Sequence, residues 1–146
     1  MRLINFNFTK ISGERLKDTV SEIKFNTKID ILSISPLKSD FLRIKEELIK
    51  IDFVYAILYE PGLASLELAG TMVLSIEPRI AREVLKGWKE KETPEEFRLF
   101  MFNTILRKSS LKALQIEEEL NLPPHLPFPS FNKGNTEKKE DSKDSN

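Results

Sequence analysis

The sequence lacks cysteine altogether, and its 146 residues include one histidine, one tryptophan and five glycines. Without cysteine there is no disulfide, no thiolate nucleophile and no cysteine-ligated metal. The glycines stand singly, so no glycine-rich loop can bind the phosphates of a nucleotide. No apolar run reaches the roughly 20 residues of a transmembrane helix, and the N-terminus has no signal-peptide core. These absences predict a cytoplasmic protein without cofactor, metal or membrane insertion.

Neither sign of charge predominates, since 23 basic residues balance 23 acidic ones. A net charge of zero provides no overall field toward nucleic acid or an anionic membrane. Lys24, Lys28 and Lys50 do lie near aromatic residues, as on a nucleic-acid stacking platform. Most of those aromatics share a face with Ile and Leu, which favours a protein core. We therefore expect no nucleic-acid partner.

The composition, 40% hydrophobic and 32% charged, is typical of a globular protein with a heavily charged surface. Residues 1–131 contain all of the apolar periodicity and predict a single α+β domain. Residues 132–146 are polar and mixed in charge, with nothing to bury. They predict a disordered tail.

Alternation of polar and apolar residues predicts the first two strands, at residues 3–11 and 22–33. Ser12-Gly13-Glu14 is typical of a turn, and Ser35-Pro36 is expected to end the second strand. Residues 37–47 leave a short helix and a loop equally open.

A β-hairpin is predicted next, because residues 48–60 and 63–76 alternate in the same way around Pro61-Gly62. Gly70 lies within the second of these strands. A glycine there indicates a bulge or kink rather than a ligand contact. The four strands together predict an antiparallel sheet with one solvated face.

Two helices should follow. Glu77-Pro78 starts the first, which has one apolar stripe and is expected to close at residues 89–92. Thr93-Pro94-Glu95-Glu96 has the pattern of a capping box and starts the second. That helix should reach Glu119, before Leu122-Pro123-Pro124 ends it, and would be about 39 Å long.

The sequence contains few candidates for a catalytic site. His125 has no acid, serine or cysteine placed near it by sequence, so a structural or solvent-exposed histidine is expected rather than a triad member or metal ligand. The run Glu117-Glu118-Glu119 is typical of a solvated helix face. An enzyme would need Asp, Glu, Lys, Tyr and Ser residues that the sequence does not group, so we expect none.

Large apolar side chains are in surplus late in the chain. They fall on more than one face of the second helix and continue into the proline-rich segment 122–131, which should be extended. Either these residues bury one another, or they form a polypeptide-binding or oligomer surface. The candidate residues of that surface are Trp88, Phe97, Phe100, Met101, Leu126, Phe128 and Phe131.

Three local motifs carry a resemblance to a known fold. They are Tyr59-Glu60-Pro61-Gly62, Val84-Leu85-Lys86-Gly87-Trp88, and the run from Leu120 through Asn121-Leu122-Pro123-Pro124-His125 to Pro129. With four antiparallel strands before two helices, the chain resembles SecB-type chaperones and a group of uncharacterised archaeal SecB-like proteins. The match of motifs covers the second half of the chain.

The resemblance implies a tetramer, built as a dimer of dimers, that holds unfolded polypeptides in hydrophobic grooves without nucleotide. We accordingly expect a homo-oligomer, dimer or tetramer, that binds unfolded or exported polypeptides. The mixed charge of the tail departs from SecB, which is acidic overall, and puts contact with a translocation motor in doubt. A second hypothesis is an assembly or ribonucleoprotein subunit whose apolar surface is covered by one dedicated partner.

Overall fold

The computed structural model describes residues 1–18, 22–38 and 46–133. Four strands precede two helices, which confirms the predicted α+β class. The strands are β1 (Arg2–Arg15), β2 (Lys24–Leu37), β3 (Glu47–Glu60) and β4 (Ala64–Ile76), and the helices are α1 (Pro78–Gly87), a 3-10 turn (Trp88–Glu90) and α2 (Glu95–Glu119). The predicted disordered tail lies, from residue 134 onward, outside the described residues, as do residues 39–45 of the ambiguous 37–47 segment.

The strands form one antiparallel sheet in the order β1-β4-β3-β2. β3 and β4 are the predicted hairpin, and their ladder runs without a register shift from Glu47–Ile76 to Tyr59–Ala64. β1 adds to β4 and β2 adds to β3. The two outer strands are therefore the first two in sequence.

Alternation along β3 separates a buried face from a solvated one. Ile49, Ile51, Phe53, Tyr55 and Ile57 are completely buried on the side of the helices, whereas the residues between them are partly exposed. Full burial of such a side chain stabilises the fold by about 1.5–3 kcal/mol. The predicted single wet face of the sheet follows directly from this period of two.

Two apolar clusters lie between the sheet and the helices. The first contains Phe53, Met72, Val84, Phe97, Met101 and Ile105, and the second contains Tyr55, Tyr59, Leu66, Ala113, Ile116 and Leu122. Phe8 and Ile29 pack against both clusters. Helix α2 spans the pair, with its N-terminal half on the first cluster and its C-terminal half on the second.

The buried side of α2 changes along its length. Its buried residues include Phe97, Met101, Ile105, Ser109 and Ala113, each four positions after the last. Four residues advance the helix by about 400°, so this row winds slowly around the axis. Different sides of α2 therefore face solvent at its two ends.

Two expected strand ends are wrong. β1 continues through Ser12-Gly13-Glu14, where a turn was predicted. A Cβ on Gly13 would lie 2.9 Å from Ile116 Cγ2 and 3.1 Å from Leu120 Cδ1, so this glycine allows α2 to approach the strand. β2 likewise continues through Pro36, which pairs with Ile49. An edge strand tolerates a residue without an N–H group.

The predicted capping box is also wrong. Pro94 occupies the N-cap position of α2 and no side chain caps the helix there. The Thr93 carbonyl instead accepts a hydrogen bond from Arg98 Nη1. A bulge was predicted at Gly70. The structure has one directly opposite, in β1 between Phe8 and Lys10.

Candidate functional site: an open groove and a closed clamp

An apolar groove of about 400 Å³ lies beside the edge strand β2. One wall is β2, the other is the 3-10 turn with the residues after it, and the floor is the first two turns of α2. Its lining residues are Ile29, Asp30, Ile31, Ile34, Trp88, Lys89, Lys91, Thr93, Phe97, Arg98, Met101 and Phe102. A volume of this size lies within the range of pockets that bind ligands.

The second wall is built by a tight reversal after α1. Lys91 adopts the left-handed conformation with φ of 60°, its N–H donates to Trp88 O at 3.0 Å, and the Glu92 N–H donates to Gly87 O at 2.9 Å. This pair of hydrogen bonds is a Schellman motif. A Cβ on Gly87 would lie 2.0 Å from Glu92 O, so only glycine fits the reversal.

The first wall is the outer edge of the sheet. β2 pairs with β3 alone within the described residues, so its other edge has backbone groups without a strand partner, and four of its residues line the groove. A bulge at Leu32, between Ile31 and Ser33, interrupts the strand. Edge strands commonly carry bulges that limit unwanted pairing.

At the other end of α2 the proline-rich segment folds back over the helix. Asn121 is left-handed with φ of 56°, its N–H donates to Glu118 O at 3.3 Å, and the Leu122 N–H donates to Glu117 O at 2.8 Å. This second Schellman motif ends α2 and buries Leu122. Arg15 Nη1 donates to the carbonyls of Leu120, at 3.1 Å, and Asn121, at 2.6 Å.

The reversal carries His125 onto Glu117, and we call this contact with its two tyrosines the clamp (Tyr55, Tyr59, Glu117 and His125). The side chains of Glu117 and His125 are only 1% and 4% exposed. The Glu117 carboxylate accepts hydrogen bonds from the Tyr59 hydroxyl, from the His125 backbone N–H at 3.2 Å and from His125 Nδ1 at 3.0 Å. A buried carboxylate with three donors is well satisfied.

The rest of the clamp network is consistent with one histidine tautomer. With hydrogen on Nδ1, the Nε2 atom accepts from the Tyr55 hydroxyl at 3.2 Å. Tyr55 in turn accepts from Ser110 Oγ at 3.3 Å. The chain of bonds therefore links sheet, helix and proline-rich segment.

Burial raises the pKa of both tyrosines above its ordinary value. For Tyr55 the nearby Glu117 charge adds to the rise in pKa, while the Ser110 hydrogen bond opposes it. For Tyr59 the hydrogen bond to Glu117 raises the pKa further, because a phenolate could not donate it. Both phenols are accordingly held protonated.

The position of the clamp favours a structural role. Its titratable side chains are almost completely buried, although Glu117 borders a surface hollow with Leu122 and Phe128. Within the described ranges no cluster of His, Asp and Glu is arranged to hold a metal ion. The expectation of a structural His125 fits this position. The expected solvated face at residues 117–119 is wrong for Glu117, which lies under the proline-rich segment.

The structure divides the predicted surface residues between these two regions. Trp88, Phe97 and Met101 line the groove, although Phe97 and Met101 show little surface. Phe100 packs against the first cluster and is not a lining residue. Leu126, Phe128 and Phe131 are exposed on the proline-rich segment at the other end of the molecule.

Sequence reasoning missed the strand wall and the floor residues Arg98 and Phe102. The alternation in β2 had placed Ile29 and Ile31 on the apolar face, but periodicity does not tell which strand lies at an edge. Phe102 was counted only within the apolar surplus of α2. It is 37% exposed beside the groove.

Comparison with solved structures shows a likeness of fold. The SecB-like chaperone Rv1957 of Mycobacterium tuberculosis, in complex with a ChAD peptide from the Rv1956 HigA1 antitoxin, superposes with a TM-score of 0.52. The alignment covers 90% of this chain and 92% of that one, at 10% sequence identity. The fold is SecB-like. The order of strands and helices expected from the resemblance is thereby confirmed.

Sequence comparison adds nothing to the SecB-like fold. No family model matches the chain, and no curated protein is similar to it. Among the described residues of this SecB-like chain, no helix has the length and apolar content to cross a membrane.

Proposed function

We propose that this protein is a nucleotide-independent, chaperone-like protein that binds unfolded or exported polypeptides in the groove between β2 and α2. The observation that carries the proposal is an apolar groove running beside an exposed sheet edge. The SecB-like fold supports it, because the solved neighbour with this fold is a chaperone with a bound peptide. Without a catalytic step, binding and release would be the whole activity.

The groove suits an extended segment on chemical grounds. An apolar side chain of the client would pack against Trp88 and Phe102, and each one fully buried contributes about 1.5–3 kcal/mol. Backbone groups of β2 would pair with the client backbone, as in strand addition. Because backbone pairing is indifferent to sequence, such a site would accept many clients.

Trp88 provides a direct test, since it is the only tryptophan in the chain and lines the groove. We expect an apolar, tryptophan-free peptide to shift Trp88 emission and to bind with a Kd of about 1–100 μM, typical of a small apolar contact. The protein should also slow the aggregation of a chemically unfolded client, followed by light scattering.

A pair of variants on α2 distinguishes peptide binding in the groove from non-specific binding elsewhere on the protein. Phe102→Asp should weaken peptide binding about tenfold or more, because it places a charge beside the apolar lining. Leu111→Asp is the matched control, since Leu111 is 58% exposed and does not line the groove. Equal binding by both variants, or no effect of the protein on aggregation, would contradict the proposal.

The proposal also includes a homo-oligomer, dimer or tetramer, in the cytoplasm. Leu99 and Leu106 support it, because these large side chains are exposed on α2 outside the groove. Light scattering of the purified protein measures the mass directly. The narrower likeness to uncharacterised archaeal SecB-like proteins stays a prediction.

The same exposed leucines favour a second candidate, an assembly or ribonucleoprotein subunit with one dedicated partner. A permanent partner would cover them, as obligate interfaces cover apolar surface. Co-purification of one stoichiometric protein or RNA, together with failure to protect unrelated clients, would favour this candidate over the chaperone.

A further inference from the structure

The charged groups around the groove are not evenly distributed. Three cationic side chains line it, Lys89, Lys91 and Arg98, against one carboxylate, Asp30. Asp30 already has a cation near it, since its carboxylate lies 3.5 Å from Lys28 Nζ. In the part of the chain that the structure describes, none of the three lining cations has a carboxylate within ion-pair distance. The groove is therefore locally basic although the chain is neutral.

The local sequence explains this separation of charge. Lysine and glutamate alternate in Lys89-Glu90-Lys91-Glu92, and the reversal after α1 sends the two types to opposite sides. The lysines line the groove. Glu90 and Glu92 line a separate surface hollow behind the wall, together with Glu83 and one cation, Lys86. The conformation of the turn therefore places the two lysines on the groove side and the two glutamates on the other side, although their charges cancel along the sequence.

We propose that the groove selects polypeptide segments in which an apolar core is flanked by acidic residues. This inference rests on the proposed function and specifies its client class. The apolar core would contact Trp88 and Phe102, while aspartate or glutamate beside it would meet the cations of the wall. Complementary charge favours the matching partner and disfavours the opposite one.

The position of the cations makes the selection local. Lys89 and Lys91 are exposed, so their attraction is screened within about 10 Å at 0.1 M salt. Extended chain advances about 3.4 Å per residue, so the acids must lie within about three residues of the apolar core. Arg98 is half-buried at the floor and adds a planar group suited to carboxylates.

The test uses the full chain and three dye-labelled peptides with one shared apolar, tryptophan-free core. Two aspartates, two lysines or two serines flank the core at each end. We expect the aspartate peptide to bind about tenfold more tightly than the lysine peptide at low salt, by fluorescence anisotropy and Trp88 emission. The difference should shrink to about twofold at 1 M salt.

Charge reversal on the wall gives the matched comparison. Lys89→Glu with Lys91→Glu should abolish or invert the preference for aspartate, measured as the ratio of the affinities for the aspartate and lysine peptides. Arg82→Glu with Lys86→Glu changes the charge equally on exposed residues of α1 outside the groove and should keep the preference. Lys89→Gln with Lys91→Gln serves if the reversed variant is misfolded by circular dichroism.

The outcomes distinguish a failure of this inference from a failure of the proposed function on which it rests. Equal binding of the aspartate and lysine peptides, with normal binding of the serine peptide, overturns the acidic selection and leaves the chaperone proposal standing. Failure of all three peptides to bind or to change Trp88 emission overturns both. A single-stranded oligonucleotide that displaces the aspartate peptide at lower concentration would identify a polyanion site and overturn the inference as well.

Discussion

Helix α2 is covered in opposite ways at its two ends. Near Phe97 and Met101 it borders an open groove, where apolar side chains remain beside solvent. Near Glu117 the proline-rich segment lies over it, and a buried carboxylate joins helix, sheet and segment. The open end thus leaves Trp88 and Phe102 beside solvent in a groove, whereas the closed end buries a carboxylate under the proline-rich segment.

This contrast indicates that the two ends of α2 have different roles. A surface that must accept a client cannot also be fully packed, so it contributes little to its own stability. The clamp supplies order at the other end of the same continuous helix. Changes at the clamp should therefore affect stability more than binding, and changes at the groove should do the opposite.

Replacement of Glu117 by glutamine should cause the largest loss of stability. The amide presents one acceptor oxygen to three buried donors, and its NH₂ group opposes the His125 N–H. We expect the free energy of unfolding, from urea titration, to fall by about 3 kcal/mol. Peptide binding by the folded fraction should be unchanged.

Glu118→Gln is the matched control for this prediction, because Glu118 is the exposed neighbour. It should change stability by no more than about 0.5 kcal/mol. Similar losses in both variants would mean that the clamp has no special role.

Alkaline pH should have the next largest effect, again at the clamp. The pKa values of Tyr55 and Tyr59 are raised in the folded state, so their contribution is complete below the unfolded pKa of about 10. It is lost as the pH rises from there toward the folded pKa values. The two together should reduce stability by about 2 kcal/mol at pH 11.

Urea titrations at pH 8 and pH 11 measure this loss, and Tyr59→Phe should make it smaller. A stability that is constant over that range would contradict the burial of protonated phenols. Peptide binding to the groove is not expected to depend on either tyrosine.

Gly87→Ala should have the smallest effect on stability and a large one on binding. The new Cβ cannot fit beside the backbone oxygen of Glu92, so the exposed reversal must open, and we expect a loss of about 1.5 kcal/mol. Displacement of the wall should weaken peptide binding about tenfold, measured by Trp88 emission. Lys86→Ala, on the adjacent exposed position, should leave both quantities nearly unchanged.

The sheet and helices could be predicted because their signals are local. A period of two marks strands such as β3, and Pro78 and the Leu122-Pro123-Pro124 stop mark helix ends. Where the prediction went wrong, contacts distant in sequence decided the outcome. Gly13 looks like a turn residue, yet it is a strand residue against which Ile116 packs.

The clamp and the groove depend, even more than the strand ends do, on contacts between residues distant in sequence. Glu117 is indistinguishable from Glu118 and Glu119 until His125 is placed over it by a left-handed Asn121. The groove requires knowing that β2 is an edge strand, which the topology determines and the alternation of Ile29 and Ile31 does not. Trp88 could be chosen from sequence only because it is large, apolar and unique.

The bulge at Leu32 sets a length for whatever pairs with β2. Regular register runs from residue 24 to residue 31 before the bulge interrupts it, which is about 27 Å of extended chain. A bound strand can keep its hydrogen-bonding register only over that distance. Under the proposed function, the edge would therefore hold a short stretch of a client and leave the rest of a long chain free to fold or to be passed on.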